Sequence, residues 1–138
     1  MAASRSANQT AAPVEPAIRV RDELGISARS LNLLRQAMLA DVEDSEGTGR
    51  AAAVPGFRVC GKTGTAQVMN EKNEVIDYTT WFISFAPYEN PRYAVVVMVE
   101  SEGRGSGGLI CAPIAHDVYE AILKQENAAR AKTLARTN

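Results

Sequence analysis

Apolar positions repeat at helical spacing near both ends of the chain. Ser27 can cap a helix from Ala28 to about Glu43, because a hydroxyl at this position accepts bonds from first-turn amides. A second helix is predicted after the glycines of 103–108, with Pro113 near its first turn. The predicted core positions are Leu31, Leu34, Met38 and Val42 in the first helix and Ile114, Val118 and Ile122 in the second.

Three segments rich in β-branched and aromatic residues lie between these helices. They run from Phe57 to Met69, from Thr79 to Ala86 and from Arg92 to Glu100. The third is an almost unbroken valine run, which predicts that both of its faces are covered. The tight connection over Tyr88 to Pro91 makes the second and third strands antiparallel. The predicted fold class is α+β, a three-stranded antiparallel sheet flanked by helices.

The two ends of the chain lack this apolar periodicity. Residues 1–16 predict a flexible leader, 17–24 a short extended segment, and 127–138 a basic, alanine-rich tail that frays. Residues 17–126 form the predicted folded unit. The printed sequence has neither a signal-peptide pattern nor an apolar segment of membrane-spanning length, which predicts a soluble chain.

Composition narrows the possible partners and cofactors. With 138 residues and a net charge of -1, the chain has no basic stripe interleaved with aromatics, so no nucleic-acid partner is predicted. Cys60 and Cys111 could pair only if the fold brought them together, and two small buried side chains are the favoured interpretation. The acidic residues ending the first helix do not follow a calcium-loop pattern. No metal or cofactor is predicted, and His116 is interpreted as a surface or edge residue.

The segment Gly61 to Gln67 is unusual for a strand interior. Alternation puts Lys62 and Gly64 on one side and Thr63 and Thr65 on the other. An ammonium supplies charge, two hydroxyls can donate to a carboxylate, and a glycine lets another backbone approach. A strand edge also offers main-chain groups to an extended peptide. These residues together suit an anionic, extended ligand.

A phosphate-loop formula also fits part of this region. Gly56 to Thr63 reads as glycine, four residues, then Gly-Lys-Thr. A phosphate loop follows a buried strand and opens a helix, whereas here the loop interior is Phe, Arg, Val and Cys and Gly64 follows directly. Nucleotide binding is therefore the weaker interpretation.

The string from Lys62 to Gln67 resembles the third motif of the penicillin-binding transpeptidases. Four flanking strings recur in that family's order: Glu46-Gly47-Thr48, Trp81 to Pro87, Asn90 to Ala94 and Ala112-Pro113-Ile114. The resemblance covers about 17–126, and the Ala-Gln ending resembles the class B, monofunctional members. It implies the C-terminal half of the penicillin-binding and serine β-lactamase transpeptidase fold, with the motif strand at the sheet edge. Two further strands of that fold are not found in this sequence, which would leave the third strand unpaired.

The resemblance implies serine acyl transfer onto D-alanyl-D-alanine stem peptides of peptidoglycan, with β-lactams as substrate mimics. The serine needs a lysine one helical turn later, as Ser-x-x-Lys. No such pair occurs: three residues before Lys62, Lys72, Lys124 and Lys132 stand Val59, Met69, Ala121 and Ala129. The two Ser-x-Asn matches, Ser6-Ala7-Asn8 and Ser30-Leu31-Asn32, are interpreted as accidental. The chain alone is predicted to be inactive.

The roles implied by the resemblance fall on one wall of an active site. Lys62 would support the proton network and position the substrate, and Gly64 would permit its close approach. Thr63 and Thr65 would hold the substrate or antibiotic carboxylate, and the Thr65 N–H would be one oxyanion-hole donor. The catalytic candidates are thus Lys62 and Thr65, and the substrate-binding candidates are Thr63, Gly64 and Thr65.

Two functional hypotheses follow from the resemblance. In the first, the chain is part of an enzyme whose nucleophile comes from a companion chain or was lost by truncation. In the second, it is a noncatalytic remnant or protein-binding module that meets a partner, or a second copy, through an exposed sheet edge. β-Lactam hydrolases and sensors fit less well, because their sequences do not usually resemble Trp81 to Pro87. The family is anchored in the bacterial inner membrane and faces the periplasm or cell exterior.

Overall fold

The computed structural model describes residues 25–101 and 105–137 of the chain. Its elements are α1 (Ala28–Glu43), a short 3-10 turn (Arg50–Ala52), β1 (Cys60–Met69), β2 (Val75–Ala86), β3 (Tyr93–Ser101) and α2 (Gly107–Thr137). The sheet order is β1-β2-β3, and both pairs are antiparallel. This confirms the α+β class and the three-stranded antiparallel sheet. The predicted leader over 1–16, the extended segment over 17–24 and residues 102–104 of the glycine-rich turn lie outside the described residues.

Two strand boundaries differ from the prediction. A turn before β1 sets the first, and the hairpin between β1 and β2 sets the second. Phe57 belongs to a turn in which its N–H donates to the Val54 carbonyl at 3.1 Å, so β1 begins only at Cys60. β2 begins earlier than predicted, at Val75, because it pairs with the end of β1 across a hairpin. The side chain of Asn70 closes that hairpin by accepting from the Lys72 and Glu74 amides at 2.9 and 3.0 Å.

The helix α2 packs across one face of the sheet, which we call the covered face. Its buried positions are Cys111, Ala112, Ala115 and Tyr119. The predicted stripe was wrong for Ile114 and Val118, which are exposed, whereas Ile122 packs against the core. The small side chains among them let α2 lie close to the strands. Such residues add little to the apolar periodicity from which a helix core is predicted.

The predicted start of α1 is confirmed, whereas its predicted core is confirmed only in part. The Ser27 hydroxyl accepts from the Ser30 N–H at 3.0 Å, as expected of an N-cap. Val42 is buried at 2% exposure, whereas Leu34 is 54% exposed and Leu31 is also exposed. The stripe prediction was therefore wrong for the first half of α1, where the described residues supply no cover.

The opposite side of the sheet, which we call the open face, is apolar and is left uncovered by the described residues except at its Cys60 end, where Arg35 of α1 lies over the Phe85 ring. Val96 is 62% exposed, and its neighbour across β2 is the exposed Ile83. Trp81 and Met98 form the next pair on this face and are also exposed. The prediction that both faces of β3 are covered was wrong within the described chain, because its alternate residues Tyr93, Val95, Val97 and Val99 pack against the core and Val96 and Met98 do not.

The last helix is longer than the sequence predicted. It continues to Thr137 through the segment expected to fray, and its residues from Asn127 to Arg136 are exposed. Alanine, lysine and arginine are strong helix formers, which favours helical structure even where the segment is exposed. The division of the chain into leader, folded unit and tail remains a prediction.

Both cysteines are buried and free, as the favoured interpretation had it. Cys111 Sγ donates to the Thr80 carbonyl at 3.3 Å. Burial raises the pKa of the Cys60 thiol to about 11. Neither thiol is therefore placed for nucleophilic chemistry.

Candidate functional site

The segment from Lys62 to Thr65 lies in the middle of β1, at an edge of the sheet. Lys62 is opposite Ile83 and Gly64 opposite Trp81, so both lie on the open face. Thr63 and Thr65 alternate with them on the other face, as predicted. β1 continues as a strand to Met69, and no helix begins after the Gly-Lys-Thr triplet. The phosphate-loop interpretation is therefore wrong.

The Lys62 side chain is exposed and folds back along its own strand. Its ammonium donates to the Thr63 carbonyl at 3.0 Å and to the Thr63 hydroxyl at 3.3 Å. An ammonium has three donors, so one N–H is left for a ligand. The charge of Lys62 is thus held beside Thr63.

A chain of hydrogen bonds runs from Thr63 into the end of α1. The Thr63 and Thr48 hydroxyl oxygens are 2.7 Å apart. Thr48 in turn donates to Asp41 Oδ1 twice, from its hydroxyl at 2.7 Å and from its N–H at 3.1 Å. From the sequence, Thr48 stood out only as part of a flanking string, and Asp41 only as one of the acidic residues that end the first helix. The available signal was a threonine between two glycines just after an acidic helix end.

Those two glycines let the loop lie against the last turn of α1. A Cβ on Gly47 would be 2.2 Å from the Asp41 carbonyl oxygen, and one on Gly49 would be 2.7 Å from Asp41 Oδ2. The Gly49 N–H also donates to the Asp41 carbonyl at 2.9 Å. Any side chain at these positions would push Thr48 away from Asp41.

The first turn of α2 lies against the backbone of the motif strand, of β2 and of the Thr48 loop. A Cβ on Gly107 would be 2.0 Å from the Trp81 carbonyl oxygen and 3.0 Å from that of Gly64. A Cβ on Gly108 would be 2.1 Å from the Thr48 carbonyl oxygen. These glycines, predicted as part of a flexible turn, instead allow the helix to contact the backbone of β2 and of the Thr48 loop directly.

The outer part of the motif is left open. Thr65 is exposed, and its hydroxyl has no hydrogen-bond partner among the described residues. A Cβ on Gly64 would meet only the Trp81 Cβ, at 3.5 Å, which is an ordinary contact. The fold itself therefore does not require glycine at position 64.

A shallow cavity of about 300 Å³ lies between Lys62 and the end of α1. Asp41, Asp44 and Glu46 are among its lining residues, and Lys62 is the one cation in the lining. Three carboxylates against one ammonium give this cavity a net negative lining, so Lys62 is the only lining residue whose charge would attract an anionic ligand.

Other candidate groups take structural positions in the described chain. His116 Nδ1 lies 2.8 Å from the Ala53 carbonyl oxygen, which ties α2 to the turn before β1. No group of three or more His, Cys, Asp or Glu side chains in residues 25–101 and 105–137 is arranged to hold a metal ion. Over the same residues, no helix combines the length and apolar character needed to cross a bilayer.

Comparison with known proteins identifies the family of this site. Residues 10–120 match the model of the penicillin-binding protein transpeptidase domain. Peptidoglycan D,D-transpeptidase MrdA of Haemophilus influenzae is 40% identical over 103 residues, covering 66% of this chain and 15% of that protein. Peptidoglycan D,D-transpeptidase FtsI of Buchnera aphidicola is 36% identical, covering 65% of this chain and 16% of that protein.

Solved structures agree with this assignment. Apo penicillin-binding protein 3 of Mycobacterium tuberculosis superimposes with a TM-score of 0.63 at 32% identity, covering 74% of this chain and 25% of that one. Penicillin-binding protein A of the same organism, solved as an imipenem acyl-enzyme complex, gives a TM-score of 0.58 at 28% identity, with coverages of 79% and 22%. The chain thus spans only about a sixth of the curated relatives named above. It belongs to the penicillin-binding protein transpeptidase domain family.

Proposed function

We propose that this chain is the Lys-Thr-Gly part of a peptidoglycan D,D-transpeptidase and forms one wall of a site for stem peptides and β-lactams. The observation that carries the proposal is an edge strand where one N–H of the Lys62 ammonium is left over and the Thr65 hydroxyl has no hydrogen-bond partner among the described residues. Two relatives bear the name peptidoglycan D,D-transpeptidase, and a structural relative was solved as an imipenem acyl-enzyme.

The proposed ligand is an extended peptide or β-lactam ending in a carboxylate, lying along the outer edge of β1. Lys62 provides the positive charge, the Thr65 hydroxyl donates to the ligand carboxylate, and Thr63 lies beside Lys62 at the binding wall. Gly64 leaves room for the ligand backbone, since no atom of the described residues would come closer to a Cβ there than the Trp81 Cβ at 3.5 Å. The Thr65 N–H is proposed as one donor to the oxyanion that forms during acyl transfer.

The acyl-transfer step needs a serine nucleophile next to a base, and the printed sequence contains no Ser-x-x-Lys. We therefore propose that the chain is inactive alone and that catalysis requires a serine supplied from outside these 138 residues. Without the nucleophile, an enzyme of this kind retains only the small rate enhancement that binding and charge stabilisation provide.

The test begins with a fluorescent penicillin, denaturing electrophoresis and intact mass. We expect no covalent adduct on the purified chain. A stoichiometric adduct would contradict the missing-nucleophile proposal, and the modified residue would identify the nucleophile.

Noncovalent binding is then measured by NMR titration with N-acetyl-D-alanyl-D-alanine. We expect amide shift changes centred on β1, with a weakened response in Gly64→Ala, because the new methyl group occupies the ligand's space. Gln125→Ala is the control, since that residue is exposed on α2 and lies outside β1. An unchanged response in Gly64→Ala would contradict the proposed approach of the ligand.

A noncatalytic binding module is the second candidate, and the open face is the observation that favours it. Trp81, Ile83, Val96 and Met98 form an exposed apolar patch next to the outer edge of β3, which has no strand partner in the described residues. Copurification of a second chain bearing Ser-x-x-Lys would favour the enzyme. Self-association that Val96→Lys abolishes, with no such companion, would favour the module.

A further inference from the structure

We propose that Asp41 and Thr48 are positioning residues that fix the Thr63 hydroxyl, so that Thr63 holds the Lys62 ammonium in place while Thr65 meets the ligand carboxylate. The effect of this positioning on ligand binding rests on the proposed function, whereas the positioning of Thr63 itself can be measured without a ligand.

The direction of the chain is set at Asp41. A carboxylate oxygen accepts hydrogen bonds and does not donate them. Thr48 therefore donates its single hydroxyl hydrogen to Asp41 Oδ1, at an oxygen separation of 2.7 Å. The Thr48 N–H donates to the same oxygen and fixes the loop around it.

The next bond must then use the hydrogen of Thr63. The Thr48 and Thr63 oxygens are 2.7 Å apart, and Thr48 has no hydrogen left for this contact. Thr63 donates to Thr48, and its lone pairs accept from the Lys62 ammonium at 3.3 Å. The order of donation is thus Lys62 to Thr63 to Thr48 to Asp41.

The second carboxylate oxygen of Asp41 carries a cost in folding stability. Oδ2 is buried and has no hydrogen-bond partner in the described part of the chain. A buried acceptor without a donor lowers stability, so each such group in a folded protein calls for an explanation. Holding Thr48, and through it Thr63, is the explanation that these contacts supply.

This order of donation assigns different tasks to the two motif threonines. A ligand carboxylate is itself an acceptor, and the Thr63 hydrogen is already engaged with Thr48. The Thr65 hydroxyl and the third N–H of Lys62 are free to donate. Thr65 and Lys62 therefore make the first contacts with the carboxylate, and Thr63 keeps the ammonium where the ligand needs it.

The experiment measures the χ1 rotamer of Thr63 from three-bond NMR couplings in the free chain. We expect one rotamer in the unmodified protein, averaging among staggered rotamers in Thr48→Val, and recovery of one rotamer in Thr48→Ser. Thr48 is exposed, so these variants should fold, and Thr48→Ala serves if the valine variant does not. Thr79→Val is the control, because it makes the same substitution at a threonine of the sheet that carries Thr63.

The same variants are then titrated with N-acetyl-D-alanyl-D-alanine. If only one of three rotamers holds Lys62 correctly, Thr48→Val should bind about threefold more weakly, and Thr48→Ser should bind as the unmodified chain does. A single Thr63 rotamer that persists in Thr48→Val would overturn the inference. Averaging in Thr48→Val with no ligand binding in any variant would support the positioning and count against the proposed function.

Discussion

Two glycines of β1 lie three positions apart in sequence and meet very different surroundings. A Cβ on Gly61 would be 2.1 Å from the Phe82 ring, whereas one on Gly64 would touch only the Trp81 Cβ at 3.5 Å. Gly61 is buried against the core, and Gly64 lies on the open face. The first glycine serves packing. The second is free of any packing need, which leaves ligand approach as its proposed role.

The largest effect expected from this contrast is on stability. Gly61→Ala should lower the free energy of unfolding by about 3 kcal/mol, because Phe82 is fully buried and has no room to retreat. Gly64→Ala should be neutral or stabilising by about 0.5 kcal/mol, since alanine restricts the unfolded chain and fits the strand. Urea unfolding of the two variants measures both values. Equal losses would show that the two glycines do not differ as described.

The next effect concerns the hydrogen bonding of the covered face. The Tyr119 hydroxyl donates to Ser84 Oγ at 3.0 Å, and Ser84 passes its own hydrogen to the Val95 carbonyl at 2.9 Å. Tyr119→Phe should cost about 1 kcal/mol, because it removes one buried hydrogen bond and leaves the Ser84 bond intact. Tyr88→Phe is the control and should cost less, since the contacts of Tyr88 with Arg35 and Arg58 use its ring. Thermal or urea unfolding measures the free energy of unfolding lost in each variant. Equal losses would show that the buried bond from Tyr119 to Ser84 does not stabilise the fold.

The smallest effect expected is a surface one with a defined pH dependence. Hydrogen bonds from Arg58 lower the pKa values of Glu43 and Glu89 below the ordinary value of 4.5. Carboxyl groups with lowered pKa values in the folded state add stability above pH 4.5, and that contribution is lost as the pH falls through the folded pKa. Arg58→Gln should therefore show a shallower loss of stability below pH 5 than the unmodified chain.

The control for this pH profile is Arg50→Gln. Arg50 donates to the Ser45 carbonyl, so its removal changes the net charge without releasing a carboxylate. Urea unfolding between pH 3 and pH 7 checks the prediction. Identical profiles for both variants would show that the Arg58 contacts do not carry the pH dependence, as is common for exposed ion pairs.

The sequence predicted the features that depend on local chemistry. The Ser27 cap, the three strands and the alternation of Lys62 with Thr63 all follow from hydrogen-bonding groups and side-chain spacing along the chain. The motif also led to the right family, because its residues occur in a fixed order with recognisable flanking strings. The roles of Lys62, Thr63, Gly64 and Thr65 remain proposals.

The features that the sequence did not predict depend on which elements meet. The buried face of α2 is built from Cys111 and Ala115, whose small side chains give a weak periodic signal. The exposure of Leu34 and Val96 depends on what packs nearby, and the apolar pattern alone does not state this. The bond from Asp41 to Thr48 joins a helix to a loop, and only the folded geometry brings that pair next to Thr63.

The two buried thiols can report how often the structural elements around them open. Cys60 opens the motif strand and Cys111 lies in the helix behind it, so an alkylating reagent reaches each one only when its own element comes apart. The rate at which each thiol gains the mass of the reagent then reports how often that element opens. Equal rates would mean that strand and helix come apart together, and unequal rates would show which of the two yields first.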